Sequence, residues 1–392
     1  MNPAFRIGSL GFALIAVCYG FARFAFGLFL PQIGEDIELS STLAGVMSGG
    51  AFALYCIAIL CSAHLSERVG PRPIAVAAAL IAAGGMFGIA LSTSPWLLAV
   101  SVMFAGISTG LASPPMADAV AQSVAPQQQN LTNTAINAGT SAGVVLSGIM
   151  ALFIGSDWRM VFIIFTVAAL GIAVGAVAQL PARQKDFRGS ATANQSKTTT
   201  FGLPPFHTNL KHLVAAAFLM GASSTALWSF GGAIAQQRLG WLAEDVGMLW
   251  TLIGAAGVLG AIAGWLTARL GVNRVHWLSL IALSGSILMV GLSYTSVGLT
   301  LTGGILFGAA YVMLTGVYLV WGTMALPDRP GVGVTIGFLA ISLGQTFGAP
   351  LFGLLMEHGS LQAAVITYAI LGCAAGGFSY PTSCLRPRLA KI

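Results

Sequence analysis

Charge is what this sequence has least of. Of its 392 residues, 7% are Asp, Glu, Lys or Arg and 56% are hydrophobic, whereas a soluble domain carries about 25% charged residues. That excludes a single large water-soluble core. Catalytic apparatus is equally thin. The chain has no H-E-x-x-H, no G-x-S-x-G and no paired carboxylates inside an apolar run, which points away from a membrane enzyme and leaves no expected cofactor or metal site. Cysteine is scarce: Cys18, Cys56, Cys61, Cys373 and Cys384 are odd in number, form no C-x-x-C and lie in or beside apolar runs. Buried thiols are expected, not a disulfide framework or zinc site. The formal net charge of +6 does not imply nucleic acid, because the basic residues sit in loops and at the ends of apolar runs. No added soluble domain is evident, which disfavours a sensor or scaffold.

What remains is apolar sequence long enough to cross a bilayer many times. Mean hydropathy is +0.87, and a run of about 20 apolar residues spans as a helix. Twelve helices are expected: at about 8–33, 42–64, 73–93, 96–117, 131–154 and 158–180, then about 209–232, 244–268, 275–294, 298–321, 332–356 and 361–380. Arg6 before the first run imitates a secretion signal, but the run is too long and no cleavage site with a soluble domain follows, so a retained helix is expected. Between the two sets lies Pro181 to Thr208, a polar, basic stretch containing Arg183-Gln184-Lys185 that reads as a linker. The expected units are 1–180, the linker 181–208 and 209–392. Placing the N-terminus in the cytoplasm leaves only Arg159 and Arg238 among the loop Lys and Arg on the opposite side. Both termini are therefore expected in the cytoplasm.

One charge does not fit this pattern. Arg23 lies within Gly20-Phe21-Ala22-Arg23-Phe24-Ala25-Phe26-Gly27, deep in the first run. An arginine at the bilayer centre costs from roughly 3 to more than 10 kcal/mol, so water, a partner or a bound anion has to face it. Glu35, Asp36, Glu38, Asp157, Glu244, Asp245 and Glu357 fall in expected outer loops, and the five histidines fall near helix ends. Without a deep acidic partner, the planar guanidinium suits a carboxylate or phosphate. Snorkelling, capping of backbone carbonyls, or pairing with Glu35 or Asp36 are its other possible fates.

The halves repeat. Ala63 to Arg72 aligns with Gly264 to Asn273, and Gly139, Gly143 and Gly148 align with Gly344, Gly348 and Gly353. Parallel six-helix repeats are a plan of secondary transporters, with the site between halves near the midplane. The loop Ala63-x-Leu65-Ser66-Glu67-Arg68-x-Gly70-Pro71-Arg72 resembles the signature G-x-L-[small]-D-R-x-G-R-[RK] of the major facilitator superfamily, with Ala63 for Gly, Glu67 for Asp and Pro71 for a basic residue. The second copy keeps Gly264, Leu266, Arg269 and Gly271 but has Ala268 where the acid belongs, and Asp157-Trp158-Arg159 also resembles the family. The resemblance implies an all-α integral membrane fold of twelve helices in two pseudo-symmetric six-helix bundles. It also implies a latch at the loop formed by Glu67, Arg68, Gly70 and Arg72, with Asp118 placed to pair with a loop arginine. Two family patterns fit poorly. Gly106 stands where antiporters carry an arginine before Gly110, and Val144 and Ser147 interrupt the fifth-helix pattern of drug antiporters.

Helical spacing groups the other candidates. Tyr19, Arg23 and Phe26 share a face, as do Asn133, Asn137 and Thr140, and Tyr311, Thr315 and Tyr318; Ser224 pairs with Trp228, and Ser342 with Gln345. In the resembled family the first, fourth, seventh and tenth helices line the cavity, with contributions from the fifth and eleventh. The expected substrate contacts are Arg23, Tyr19, Phe26, Asn137, Trp228, Tyr311, Thr315, Tyr318 and Gln345; each polar one could equally be interhelical glue. The expected function is alternating-access transport of a small organic anion across a bacterial inner membrane by a monomer. Proton-driven efflux of an amphiphile, with Trp228, Tyr311 and Phe26 as pocket, is the alternative. No carboxylate or histidine is expected at mid-depth, so coupling to a proton is left open.

Overall fold

Apolar runs bounded by capping residues fold as expected, into long helices. The computed structural model describes residues 2–181 and 207–381, apart from the side chains of Ala63 and Glu67. Among the described residues, eleven helices are long and apolar enough to cross a membrane, and Leu361–Gly377 is a shorter twelfth. In order they are Pro3–Ile37, Ser41–Val69, Pro71–Ala90, Pro95–Ser123, Pro126–Ile154 and Trp158–Gln179, then Thr208–Trp228, Ala243–Leu270, Val272–Gly291, Val297–Ala325, Pro330–His358 and Leu361–Gly377. Apart from Pro181 and His207–Thr208, the expected linker lies outside the described residues. Serines start many of these helices: Ser40, Ser94, Ser296 and Ser360 accept from the N–H three residues on, satisfying donors that the helix itself cannot. Side chains such as Phe153 and Val174, 83% and 70% exposed, form an apolar exterior that only lipid would solvate favourably.

The seventh helix ends earlier than its hydropathy suggests. It stops at Trp228, and after a turn at Ser229–Phe230 a short helix, Gly231–Leu239, carries the chain onward. Two consecutive glycines, Gly231 and Gly232, open that short helix. The second meets the Gly27 and Leu28 carbonyls, where a side chain would not fit: a Cβ at Gly232 would sit 2.7 Å from the Gly27 oxygen. The first helix is also irregular. Its Ala16–Phe24 segment is π-helical, a form that is rare and concentrates at functional sites. Arg23 lies in its last turn.

The repeat is structural in detail. Gly70 and Gly271 both have left-handed φ, 88° and 83°, at the turn between the second and third helix of their halves. A Cβ would strain either position. Two residues on, Arg72 Nε donates to the Leu180 carbonyl at 2.7 Å, while Asn273 exchanges bonds with the Tyr380 backbone at 2.9 and 2.7 Å. Each residue thus ties the third helix of its half to the end of the last. The glycine triplets act in parallel. A Cβ at Gly139 or Gly143 would lie 2.2 or 2.3 Å from the Phe12 or Ala16 oxygen of the first helix. At Gly344 it would lie 2.0 Å from the Phe218 oxygen, and at Gly348 2.6 Å from Ala222 Cα, both in the seventh helix. The third member crosses to the other half: Gly148 meets Gly247, and Gly353 meets Ser41.

These crossings show where the halves touch. Pro181 and His207 mark one end of the bundle, the linker end; the opposite end is the far end. Gly27 against Trp228, Gly49 against Thr346, Gly148 against Gly247 and Gly353 against Ser41 all lie between mid-depth and the far end. Two hydrogen bonds seal that end: Thr42 N–H donates to Glu357 Oε2 at 2.8 Å, and Gln236 Nε2 to Glu35 Oε1 at 2.6 Å. Glu357 therefore caps the N-terminus of a helix in the opposite bundle, a favourable place for a carboxylate.

Closure at the far end depends on backbone approach at Gly27. A Cβ there would lie 2.1 Å from the Trp228 carbonyl oxygen, a contact that only separation of the halves relieves. Gly27→Ala should raise labelling of a cysteine introduced near the far end, at Ser229 for example, with fold retained; labelling equal to that of the glycine protein would contradict this closure.

Candidate functional site

The first helix brings Arg23 to mid-depth, and the eleventh brings Ser342 and Gln345 opposite it. Arg23 Nη2 donates to Gln345 Oε1 at 2.7 Å and, weakly, to Ser342 Oγ at 3.5 Å. Gln345, with no exposed surface, donates through Nε2 to Tyr311 OH at 3.2 Å and Ser224 Oγ at 3.4 Å. Four helices, one from the N-terminal half and three from the C-terminal half, thus meet in one polar chain. Arg23 Nε is buried without an acceptor.

Aromatic rings surround the cation. The guanidinium carbon lies 4.6 Å from the ring centroids of Phe52 and Tyr55, 5.3 Å from Phe24 and 5.7 Å from Tyr19. Each such contact is worth roughly 0.5–2 kcal/mol, so the rings supply part of the solvation that the membrane withholds. Tyr19 OH reaches Ser113 Oγ at 3.2 Å. On the other side Trp228 stacks on Phe24 at 4.1 Å and meets Phe307 and Tyr311 edge-on at 5.2 and 5.3 Å. Its indole N–H is buried and unpartnered. Ala22, Arg23, Phe26, Ser48, Phe52 and Trp228 help line a cavity of about 10 Å³, room for about one water molecule. A wider depression of about 710 Å³ at the far end is lined by Gln237, Arg238, Met356 and Ser360 among others and contains none of these groups.

Among the expected contacts, Arg23, Tyr19, Phe26, Trp228, Tyr311 and Gln345 come together. Asn137 is exposed on the fifth helix and joins none of these bonds. Thr315 donates to the Val312 carbonyl of its own helix at 2.7 Å. Tyr318 turns into the C-terminal bundle: its hydroxyl meets His276 Nε2 at 3.0 Å and donates to the Ala216 carbonyl at 3.2 Å. Seven residues of α-helix separate Tyr311 from Tyr318, and at their two depths different helices supply the partners: Gln345 for the first, His276 and Ala216 for the second. His276, near a helix end in sequence, is fully buried there. The pairings of Arg23 with Glu35 or Asp36 do not form, because those carboxylates are engaged elsewhere. Glu35 accepts from Gln236, and Asp36 forms an ion pair with Arg159 at 2.5 Å and accepts from Trp158 Nε1 at 2.9 Å. Among the described residues Arg23 has no acidic partner within salt-bridge distance.

At the linker end, Ser66 Oγ donates to Asp118 Oδ2. The acid expected to meet a loop arginine is thus held by a hydroxyl, and neither Arg68 nor Arg72 forms an ion pair with it. Arg68 is exposed, Arg72 is committed to Leu180, and the Glu67 side chain lies outside the described residues. The sequence reading did not anticipate Phe52, Tyr55 or Phe24. Phe52 and Tyr55 sit three apart, on one helix face, in a helix otherwise rich in small residues, a signal that was available.

A duplicated helical bundle with a buried polar cluster between its halves is the architecture of a secondary transporter. The Major Facilitator Superfamily profile matches residues 12–329, and the chain belongs to that superfamily. Multidrug resistance protein MdtH of Klebsiella pneumoniae is 31% identical over 98 residues, covering 25% of this chain and 24% of that protein. An MFS-type efflux pump of Mycolicibacterium smegmatis is 28% identical over 277 residues, 68% of this chain and 63% of the pump. The chain thus matches less than two thirds of either of these relatives. Human Monocarboxylate transporter 11 is 25% identical over 95% of this chain and 81% of its own. Among solved structures, an inward-facing, unoccupied bacterial homologue of the human lysosomal transporter Spinster has a TM-score of 0.76 at 16% identity, covering 96% of both chains. The inward-open xylose transporter XylE from E. coli has a TM-score of 0.76 at 14% identity, covering 96% of this chain and 95% of that one. At these identities the structures establish a shared fold.

Tyr318 tests the division between site and scaffold. Tyr318→Phe should cost about 1–3 kcal/mol of stability, since His276 Nε2 and the Ala216 carbonyl lose a buried partner, while ligand affinity stays unchanged. Thermal unfolding and ligand binding on the same purified variant check both halves of this expectation.

Proposed function

We propose that this protein moves a small organic anion, most simply a carboxylate-bearing solute, across a bacterial inner membrane by alternating access, as a monomer with both termini in the cytoplasm. The observation that carries the reading is a permanently charged guanidinium at mid-depth that no described acid neutralises. An anion supplies what the neutral amide and the rings only approximate, and binds a guanidinium in two-point fashion. The relative named as a monocarboxylate transporter supports the same class. The Lys and Arg of the loops put the linker end in the cytoplasm. On that assignment the far-end contacts close the outer side of the protein.

Efflux of an amphiphilic molecule is the second reading. The aromatic wall of Trp228, Phe307 and Tyr311 and the relatives named for efflux and multidrug resistance favour it. Bundle rocking serves both readings. In either, Ser66 and Asp118 together with Glu67, Arg68, Gly70 and Arg72 form the linker-end element that biases one packing over the other.

Binding of short monocarboxylates to purified protein separates the two. Arg23→Gln should weaken it by about 30-fold or more, the usual consequence of removing one partner of a buried charged contact. Arg23→Lys should recover only part, because an ammonium lacks the planar fork. Carboxylate binding that survives Arg23→Gln, or binding of lipophilic cations in preference to anions, would favour the efflux reading.

A further inference from the structure

Arg23 is engaged by the protein's own side chains through its Nη2. A guanidinium only donates, so the Gln345 amide must present its oxygen to Arg23 and its nitrogen to Tyr311 and Ser224. Ser224 Oγ sends its own hydrogen to the Gly221 carbonyl at 2.7 Å and therefore accepts from Gln345. The amide is held in one orientation, fully buried. It is also neutral, so Arg23 keeps its full positive charge and an unpartnered Nε–H.

We propose that Gln345 determines specificity as an internal stand-in for the substrate. Its Oε1 occupies the position that one oxygen of a carboxylate takes on loading, and binding exchanges the Arg23–Gln345 hydrogen bond for an Arg23–carboxylate pair. This rests on the reading of Arg23 as the anion contact. The choice of residue follows from the exchange. A glutamate here would pair with Arg23 permanently and repel an incoming anion, whereas an apolar side chain would leave the half-buried cation only the long Ser342 contact between cycles. The amide is a good enough acceptor to tolerate the empty state and a poor enough one to be displaced. Because Arg23 and Gln345 belong to opposite halves, the exchange also replaces a direct bond between the halves with one that runs through the solute.

The test uses the purified full-length protein, with acetate, pyruvate and benzoate as probes for binding and for transport in vesicles. Gln345→Glu, nearly isosteric, should retain or raise thermal stability and weaken anion binding by about 100-fold, the scale of a buried like-charge clash. Gln345→Leu removes the competitor, so binding should equal or exceed that of the unmodified protein, with KM lowered and kcat reduced. A residue that served packing alone would weaken binding in both variants. If the unmodified protein binds and Arg23→Gln does not, yet Gln345→Glu binds within about twofold of the unmodified protein or Gln345→Leu loses as much affinity as Gln345→Glu, the exchange is overturned and the anion reading stands. If the unmodified protein binds none of the three anions, or Arg23→Gln binds them equally well, the anion reading falls and the exchange with it.

Discussion

A guanidinium that cannot release its proton has to be solvated by whatever surrounds it, and in a bilayer that means by protein or cargo. The centre of this molecule follows from that constraint. Gln345 and Ser342 supply oxygens, and Phe24, Phe52, Tyr55 and Tyr19 supply ring faces. Tyr311 and Ser224 hold Gln345 in the orientation that a pure donor requires. None of these groups carries negative charge. The cation is made tolerable without being neutralised, which is the condition a site needs if it is to bind an anion and release it again.

The same arrangement joins the halves. The glycine triplets hold each half together at backbone distance through their first two members and reach across to the other half with the third. Without a hydrophobic drive between helices in lipid, such close packing is a principal source of association. Between the halves the second helix packs along the eleventh and the fifth along the eighth as extensively as neighbours within a half do, with glycine crossings toward the far end, the Glu357 and Glu35 hydrogen bonds at its rim, and the Arg23–Gln345 bond at mid-depth. The few polar bonds that cross between the halves are the part of this interface that a solute or solvent could replace.

Much of this architecture is legible in the amino-acid sequence. Hydropathy marks the spans, because a helix in lipid has to satisfy its own backbone. The glycine triplets and the paired loops disclose the duplication, because backbone contacts tolerate only small residues. Arg23 stands out because charge at that depth is costly. Side-chain direction was less legible. Tyr311 and Tyr318 share a nominal face, yet one meets Gln345 and the other His276, since at their two depths different neighbouring helices supply the partners. The π-helical turn before Arg23 has no plain sequence marker. It arises where Gly20 and Gly143 let two backbones meet. Asp118 illustrates a further limit: spacing placed an acid near basic residues, but the hydroxyl of Ser66 was nearer.

Depth explains why the polar bonds between the halves differ in kind. At the far-end rim, Glu357 and Glu35 are charged acceptors near water, where solvent replaces a broken hydrogen bond at little cost. Such contacts can open and close on every cycle without a ligand. At mid-depth water is scarce, and breaking the Arg23–Gln345 bond would leave the cation only the long Ser342 contact and the ring faces. That bond can open readily only when another acceptor arrives, and the acceptor with most to gain is an anion. On the proposed reading, a rim that opens freely and a centre that opens on exchange would let occupancy of the site control the rocking.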